Sequence, residues 1–500
     1  MRPQALLVSK FSLEFLTKLL SIVSMIIVVR TMGVQGYGVL VFMATLASFL
    51  YPLLSLGLPS AMVRYFPPIR NTPSPYFVFW RILGLIFAIN LGFSLFTYWS
   101  IPKFFQAQIS VPGHENLVVG IISFTVVLAS LENSLLEFQR AVYLLRNYLI
   151  MQVSQASALF IVAIFQPIFA LSLWKFLIAY VVIRSLLFIA FFANMVLVPG
   201  KKLLAHSDVS QIRKGLRYES DLGLRKLIRF GLPMSIAGLG NWLLGVSDRL
   251  VISRDLTVSQ LGVYGAVSNF ALIFPALTSG FFLLAYPRII RARQESLQSM
   301  ADIMKRFHTA ISFALIPALV LMMSFGSEIL EILLGISDPD ASIVLVLCLI
   351  ASMIHQWNGL TSYLIITLEE TRLNRNVWMV AGVLNLVLNL LFVPKYQLVG
   401  AAVINVLTFL FLDGIFFVIA ARRLGSLSFY SWKASTQAMA YSLLSVGLAK
   451  LIGSGITELG LRVVSEVLSF LFLYSSLVLL RHRKELAILL ESFADGPEEI

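Results

Sequence analysis

Residues 12–57 read SLEFLTKLLSIVSMIIVVRTMGVQGYGVLVFMATLASFLYPLLSLG, and this stretch decides the class of fold. It holds two apolar runs, 12–33 and 37–57, separated only by Val34, Gln35 and Gly36. Its charges are confined to Glu14, Lys18 and Arg30. A helix needs about 20 apolar residues, each rising ~1.5 Å, to cross a hydrocarbon core ~30 Å thick. Each run meets that length. The segment before them is basic and then apolar, as in a signal peptide, but no small-x-small cleavage site follows. The apolar run continues to Met32, so it reads as a retained first helix.

Outward from these two, the pattern repeats along the chain. The expected spans are 12–33, 37–57, 77–98, 117–137, 148–169, 173–197, 231–252, 261–287, 308–334, 342–367, 376–394, 398–420, 433–453 and 460–480. The predicted fold class is an all-α polytopic membrane protein of about fourteen transmembrane helices. Composition agrees, with 58% hydrophobic and only 13% charged residues among 500, and a mean hydropathy of +0.88. A soluble chain carries roughly a quarter charged residues. A single soluble core stops growing near ~250–300 residues, so the apolar excess faces lipid.

Charge orients the helices, because Lys and Arg are retained on the cytoplasmic side. With the amino terminus inside and the spans alternating, the inside segments hold 27 of the 38 basic residues and the outside segments six. Both termini are therefore expected in the cytoplasm, in the cell's inner membrane. The net charge of +13 lies in short inside loops, where topology and anionic lipid headgroups account for it. No nucleic acid is expected as a partner; membrane lipids are. Cys348 is the one cysteine, and the five histidines form no zinc-like spacing. No metal or other cofactor is expected. No phosphate-binding GxxxxGK[ST] loop occurs, so ion, potential or substrate gradients remain as driving forces.

A polar, basic stretch from Pro199 to Phe230 follows six spans, and what comes after it resembles what came before. Arg30, Gly36-Tyr37-Gly38, Pro52 and Pro67 in the first half have counterparts Arg254, Gly262-Val263-Tyr264-Gly265, Pro275 and Pro287 in the second. An even number of spans separates the copies, so they are parallel. Two six-helix lobes related by a pseudo-two-fold along the membrane normal follow, with a cavity between them. The expected division is 1–198 for the first lobe, 199–230 for a cytoplasmic linker, 231–422 for the second lobe, 423–482 for accessory helices 13 and 14, and 483–500 for a cytoplasmic tail.

Ionisable groups inside spans are costly, ~2.5–3.5 kcal/mol on insertion scales, and usually face a polar interior. Arg184 lies mid-span and is expected to face a water-filled cavity; Glu132 also lies within a span. Glu14 with Lys18, and Asp248 with Arg249, read either as functional charges or as structural and snorkelling pairs near an interface. His355 reads either as a proton-coupling group or as a buried hydrogen-bonding one. Glu14, Asp248 and His355 are the candidates for ion coupling. Asp338-Pro339-Asp340 reads as a helix-capping turn rather than a metal site.

The stretch Arg30-Thr31-Met32-Gly33-Val34-Gln35-Gly36-Tyr37-Gly38 resembles the R-x-x-G-x-x-x-Y-G pattern of Wzx-type polysaccharide flippases, the polysaccharide transporter family of the multidrug/oligosaccharidyl-lipid/polysaccharide exporter superfamily. Leu56-Gly57-Leu58-Pro59 through Arg64-Tyr65, Phe230-Gly231-Leu232-Pro233, Asp248-Arg249, Gly262-Val263-Tyr264, Asn385 to Asn389 and Val399 to Ala402 follow in the family's order. Gln397 departs from it, standing where the family more often has glycine. The resemblance implies a V-shaped two-lobed fold with a cationic central cavity. Independently, no outer loop exceeds about twenty residues, which argues against a membrane polymerase or glycosyltransferase, so no enzymatic activity is expected. It implies a polyprenyl-diphosphate-linked oligosaccharide as substrate, flipped to the outer leaflet for a surface polysaccharide such as O-antigen, and other polysaccharide-assembly membrane proteins as conceivable partners. Arg30, Arg64 and Arg249 are its candidate headgroup contacts, and the burial argument adds Arg184. The alternative is a cation-coupled multidrug exporter on the same fold.

Overall fold

The computed structural model describes residues 3–67, 74–104, 115–194, 223–368, 370–425 and 429–494; the side chains of some of these, Glu14 among them, lie outside the description, as does most of the linker. All regular structure among the described residues is helical. The outward faces are apolar: Leu95, Ile168, Leu391 and Phe472 are 71%, 67%, 64% and 72% exposed. Side chains of this kind on so much of the surface require lipid rather than water as the surrounding medium.

Among the described residues, ten helices are long and apolar enough to cross a membrane, or eleven if α7 (Leu224–Asp255), bent by 45° between Ser235 and Gly238, is one crossing. The sequence count of fourteen differs from this at three other places. Helix α1 (Pro3–Leu54) runs on as 52 residues, yet Gly33 inside it has φ 72° and ψ 171°, a conformation open to glycine and not to a helix. Helix α12 (Thr371–Leu424) runs to 54 residues with a similar break at Gln397, φ 50° and ψ −137°. Helix α13 (Trp432–Gly453) is long enough to cross but carries Lys433, Lys450 and the polar run Ser435, Thr436 and Gln437.

For α12 the nature of the break follows from two hydrogen bonds. Asn385 donates through Nδ2 to Asn405 Oδ1 at 3.0 Å and to Thr408 Oγ1 at 2.8 Å. Twenty residues of straight helix separate their ends by ~30 Å. The chain must therefore reverse at Gln397, and the two halves of α12 lie side by side as a hairpin. Both asparagines and Thr408 are buried, so the amides satisfy each other away from water.

Turn chemistry sets the other ends. Gly57, in the left-handed region at φ 64°, precedes the short α2 (Leu58–Tyr65), which starts with Pro59 in its first turn. Gly335 at φ 70° ends α10 (Leu297–Leu334). Asp338 then caps α11 (Pro339–Thr367), its carboxylate accepting from Asp340 N at 3.0 Å, as expected for the Asp-Pro-Asp turn.

The chain forms two compact units: Leu19–Gly265, and Met1–Lys18 with Ala266–Ile500. In the first, Phe138 of α4 (Glu115–Ala141) stacks on Phe79 of α3 (Ser74–Phe104) at 4.2 Å and meets Phe66 edge-on at 6.0 Å. Leu227, in the first turn of α7, is buried in that same core, which fixes where the helix after the linker begins. In the second unit, Phe470 and Tyr474 of α14 (Leu459–Ala494) pack with Ala449 of α13 in a separate cluster.

Candidate functional site

Within the Leu19–Gly265 unit, the two copies of the repeat touch backbone to backbone. A Cβ on Gly38 would strike the Val258 carbonyl oxygen, in α8 (Val258–Phe270), and lie 3.2 Å from the Gly262 nitrogen. A Cβ on Gly262 would strike the Val34 carbonyl oxygen and lie 3.0 Å from the Gly38 nitrogen. The contact is reciprocal, and Gly38 and Gly262 are separated by the same 224 positions as Arg30 and Arg254. A second close approach, Gly57 against Gly231, joins the two Gly-Leu-Pro motifs. These motif glycines, read from sequence only as repeat and family positions, are points where two backbones meet with no room for a side chain.

Tyr264, two residues beyond Gly262, is fully buried and donates its hydroxyl to Asp248 Oδ2 at 2.5 Å. Asp248 also accepts from Arg249 N at 2.6 Å. Asp248 is 4% exposed, so this carboxylate is held by α7 and α8 together. The sequence had placed Asp248 and Tyr264 in neighbouring motifs without pairing them. Arg249, next along α7, is half-buried, and Arg30 is exposed three positions before the break at Gly33.

Arg184 of α6 (Leu173–Phe192) has a partner that sequence reading did not assign. It donates through Nε to Glu132 Oε1 at 3.2 Å and through the adjacent nitrogen to Glu132 Oε2, closing a two-bond fork with α4. A third donor reaches the Tyr180 hydroxyl at 3.2 Å. The side chains are 14% and 3% exposed. Around them, Met151, Ser154, Gln155 and Phe188 help line a recess of about 10 Å³, room for about one water and not for a sugar headgroup. The signal that could have found the pair was in hand: two opposite charges at mid-span on neighbouring helices must meet or pay heavily for their burial.

Arg64 closes α2 and is exposed; its guanidinium lies over the rings of Phe230, at 5.0 Å, and Tyr65, at 5.8 Å. His355 of α11 lies against Phe409 at 4.9 Å and edge-on to Trp378 at 5.7 Å, and its Nδ1 is buried without a hydrogen-bond partner among the described residues. The Glu14 side chain lies outside the described residues. No group of three His, Cys, Asp or Glu side chains placed to hold a metal occurs among the described residues.

The second unit carries a polar network that sequence reading missed. Tyr430, just before α13, donates to Asp413 Oδ1 at 3.2 Å and meets the Thr361 hydroxyl at 3.1 Å. His308 lies edge-on to the Tyr430 ring at 4.7 Å and accepts from Ser431 N at 3.3 Å. Burial first, and then the nearby Asp413 carboxylate, push the Tyr430 phenol above its ordinary pKa, so it stays a donor.

This arrangement of helices recurs in solved structures of membrane proteins. The chain is similar in structure to "Lipid II flippase MurJ, inward closed conformation", with a TM-score of 0.67 at 13% identity, covering 94% of this chain and 98% of that one. It is also similar to an inward-facing multidrug resistance MATE family transporter of the MOP superfamily, with a TM-score of 0.63 at 12% identity, covering 82% and 95%. At these identities the likeness establishes the fold alone, an all-helical polytopic membrane fold. Within that class, the chain belongs to the polysaccharide biosynthesis protein family, whose profile matches residues 27–337. It is 22% identical over 405 residues to the "Uncharacterized membrane protein MJ1375" of Methanocaldococcus jannaschii, covering 78% of this chain and 92% of that one. Over 202 residues it is 22% identical to the "Probable low-salt glycan biosynthesis flippase Agl15" of Haloferax volcanii, covering 40% and 43%. The sequence-level assignment to the polysaccharide flippases of this superfamily agrees with these findings.

Proposed function

We propose that this protein flips a polyprenyl-diphosphate-linked oligosaccharide from the cytoplasmic to the outer leaflet, for surface polysaccharide synthesis, by alternating access between two six-helix lobes through a cationic cavity. The observation that carries the reading is the reciprocal Gly38–Gly262 contact. It brings residues of the two repeats together backbone to backbone, in keeping with two lobes that rock about a central path. A diphosphate–sugar headgroup cannot cross hydrocarbon unaided, whereas its prenyl tail can stay in lipid. Arg30, Arg64 and Arg249 are the residues proposed to meet the diphosphate, since a guanidinium fork bonds phosphate oxygens bidentately. Arg184, engaged by Glu132, is proposed to act indirectly, by holding α6 on α4. Asp248, with Glu14 and His355, is the proposed place to look for ion coupling. The membrane is proposed to be the cytoplasmic one, with both termini inside.

The test is the leaflet distribution of lipid-linked oligosaccharide in cells depleted of the protein, read with an outer-face glycan probe on intact spheroplasts. Loss of outer label with accumulation inside supports flipping. Unchanged outer label with heightened sensitivity to cationic drugs replaces the flippase with a multidrug exporter.

A further inference from the structure

We propose that Arg64 and Lys226, flanked by Arg225 and Arg229, form a phosphate-binding site at the cytoplasmic rim that receives the diphosphate of the substrate before it is translocated. Naming the ligand rests on the flippase reading above. The site itself rests on how these cations are held.

Arg64 ends α2 and Lys226 lies in the first turn of α7, so they come from distant parts of the chain. Both sit over one ring: the Arg64 Cζ is 5.8 Å and the Lys226 Nζ 5.6 Å from the centre of Tyr65. Phe230 meets Tyr65 edge-on at 5.5 Å and lies beneath Arg64 at 5.0 Å. Stacking engages the face of a guanidinium and leaves its in-plane N–H donors available. Neither Arg64 nor Lys226 bonds a carboxylate among the described residues. Other cations do: Arg140 with Glu137, Arg184 with Glu132, Arg254 with Asp255 and Arg423 with Glu370.

The cost of this grouping is visible. Like charges gathered on one aromatic ring repel, and Arg225 and Lys226 stand in the first turn of a helix, where the dipole disfavours cations. A dianionic ligand relieves both penalties at once. The arrangement is also prepared in advance, because Leu227 and Phe66, next to Lys226 and Tyr65, are buried in the core shared by α2, α3 and α4. In the proposed topology these residues lie at the inner headgroup level, where the diphosphate of a membrane-anchored substrate travels. Arginine supplies the bidentate fork and lysine a point charge, a pairing suited to two adjacent phosphates. Anionic phospholipids offer the same phosphate chemistry singly, and the experiment separates the two.

The purified full-length protein in detergent micelles is titrated with radiolabelled geranylgeranyl diphosphate, with inorganic pyrophosphate and phosphatidylglycerol as competitors. The expected result is about tenfold or more weaker binding in Arg64→Gln/Lys226→Gln, near-complete recovery in Arg64→Lys/Lys226→Arg, and displacement by pyrophosphate well before phosphatidylglycerol. Undiminished binding in the Gln pair, or equal displacement by phosphatidylglycerol, overturns the proposal. Should the Gln pair not purify as a monodisperse protein, Lys226→Gln and Tyr65→Leu singly give the same reading, each expected to weaken binding. Reconstituted translocation keeps the two hypotheses apart. A wild-type protein that binds the probe through these residues but moves no lipid-linked oligosaccharide retains the site and loses the flippase reading. A wild-type protein that translocates, beside a Gln pair that binds normally, retains the flippase reading and loses the site.

Discussion

Replacing Arg184 with methionine separates a structural role from a substrate-binding one. The change keeps much of the side-chain volume and removes three donors, those to the two Glu132 oxygens and to the Tyr180 hydroxyl. Glu132, 3% exposed, is left as a buried carboxylate without its counter-charge. Breaking a buried pair by removing one partner costs ~3–5 kcal/mol, whereas replacing both with apolar groups is often neutral or stabilising. For a unit of this size ~1 kcal/mol moves the melting midpoint by ~2–4 °C, so Arg184→Met is expected to lower it by roughly 10 °C. Arg184→Met/Glu132→Leu is expected to recover most of that loss. Fluorescence-detected size exclusion of heated, detergent-solubilised protein measures both, and proteoliposome translocation measures activity. If the double variant regains stability and transport together, the pair is structural. If it regains stability alone, Arg184 meets substrate as well. An Arg184→Met protein as stable as wild type would refute the reasoning, since the buried charge would then have found another partner.

Gly262→Ala puts a methyl where the Val34 carbonyl oxygen stands, and backbone cannot yield as a side chain can; translocation is expected to fall about tenfold, and the midpoint to drop by a few degrees, as overpacking costs ~1–3 kcal/mol. Gln397→Gly relieves a backbone conformation that costs a residue with a Cβ ~1–3 kcal/mol, so a higher midpoint is expected with translocation unchanged; no gain would mean that the hairpin turn is not strained. His355→Leu removes a buried nitrogen that has no described partner, from a pocket walled by Phe409 and Trp378. Stability is expected to rise and translocation to persist, and abolished translocation in a well-folded variant would instead make His355 a coupling residue.

The class of fold was legible because lipid leaves a coarse mark: long apolar runs, cations biased to one side, and a break wherever the chain turns. Even Gln397, which stood out only as a departure from a family glycine, proved to sit at a backbone reversal with positive φ. The number of crossings was less legible. A reversal as tight as that of α12 leaves the helix pattern nearly continuous, and only the bonds from Asn385 to Asn405 and Thr408 reveal the hairpin.

Side-chain partnerships were not legible for a related reason. Membrane sequences are nearly uniform in hydropathy, so periodicity says little about which face of a span meets which neighbour. Glu132 and Arg184 are 52 positions apart, and Asp248 and Tyr264 are 16 apart across a helix break; neither spacing has a local signature. The motif positions were visible for the opposite reason: a glycine that admits another backbone is a distinct letter in an otherwise uniform apolar sequence. What matters at Gly38 and Gly262 is thus the absence of a side chain, and the contact it permits. The proposed phosphate site, by contrast, rests on cations whose role is set by what they lack. Arg64 and Lys226 are exposed and have no described carboxylate to answer them, unlike the buried Arg184, and that contrast becomes visible only after the helices have been placed.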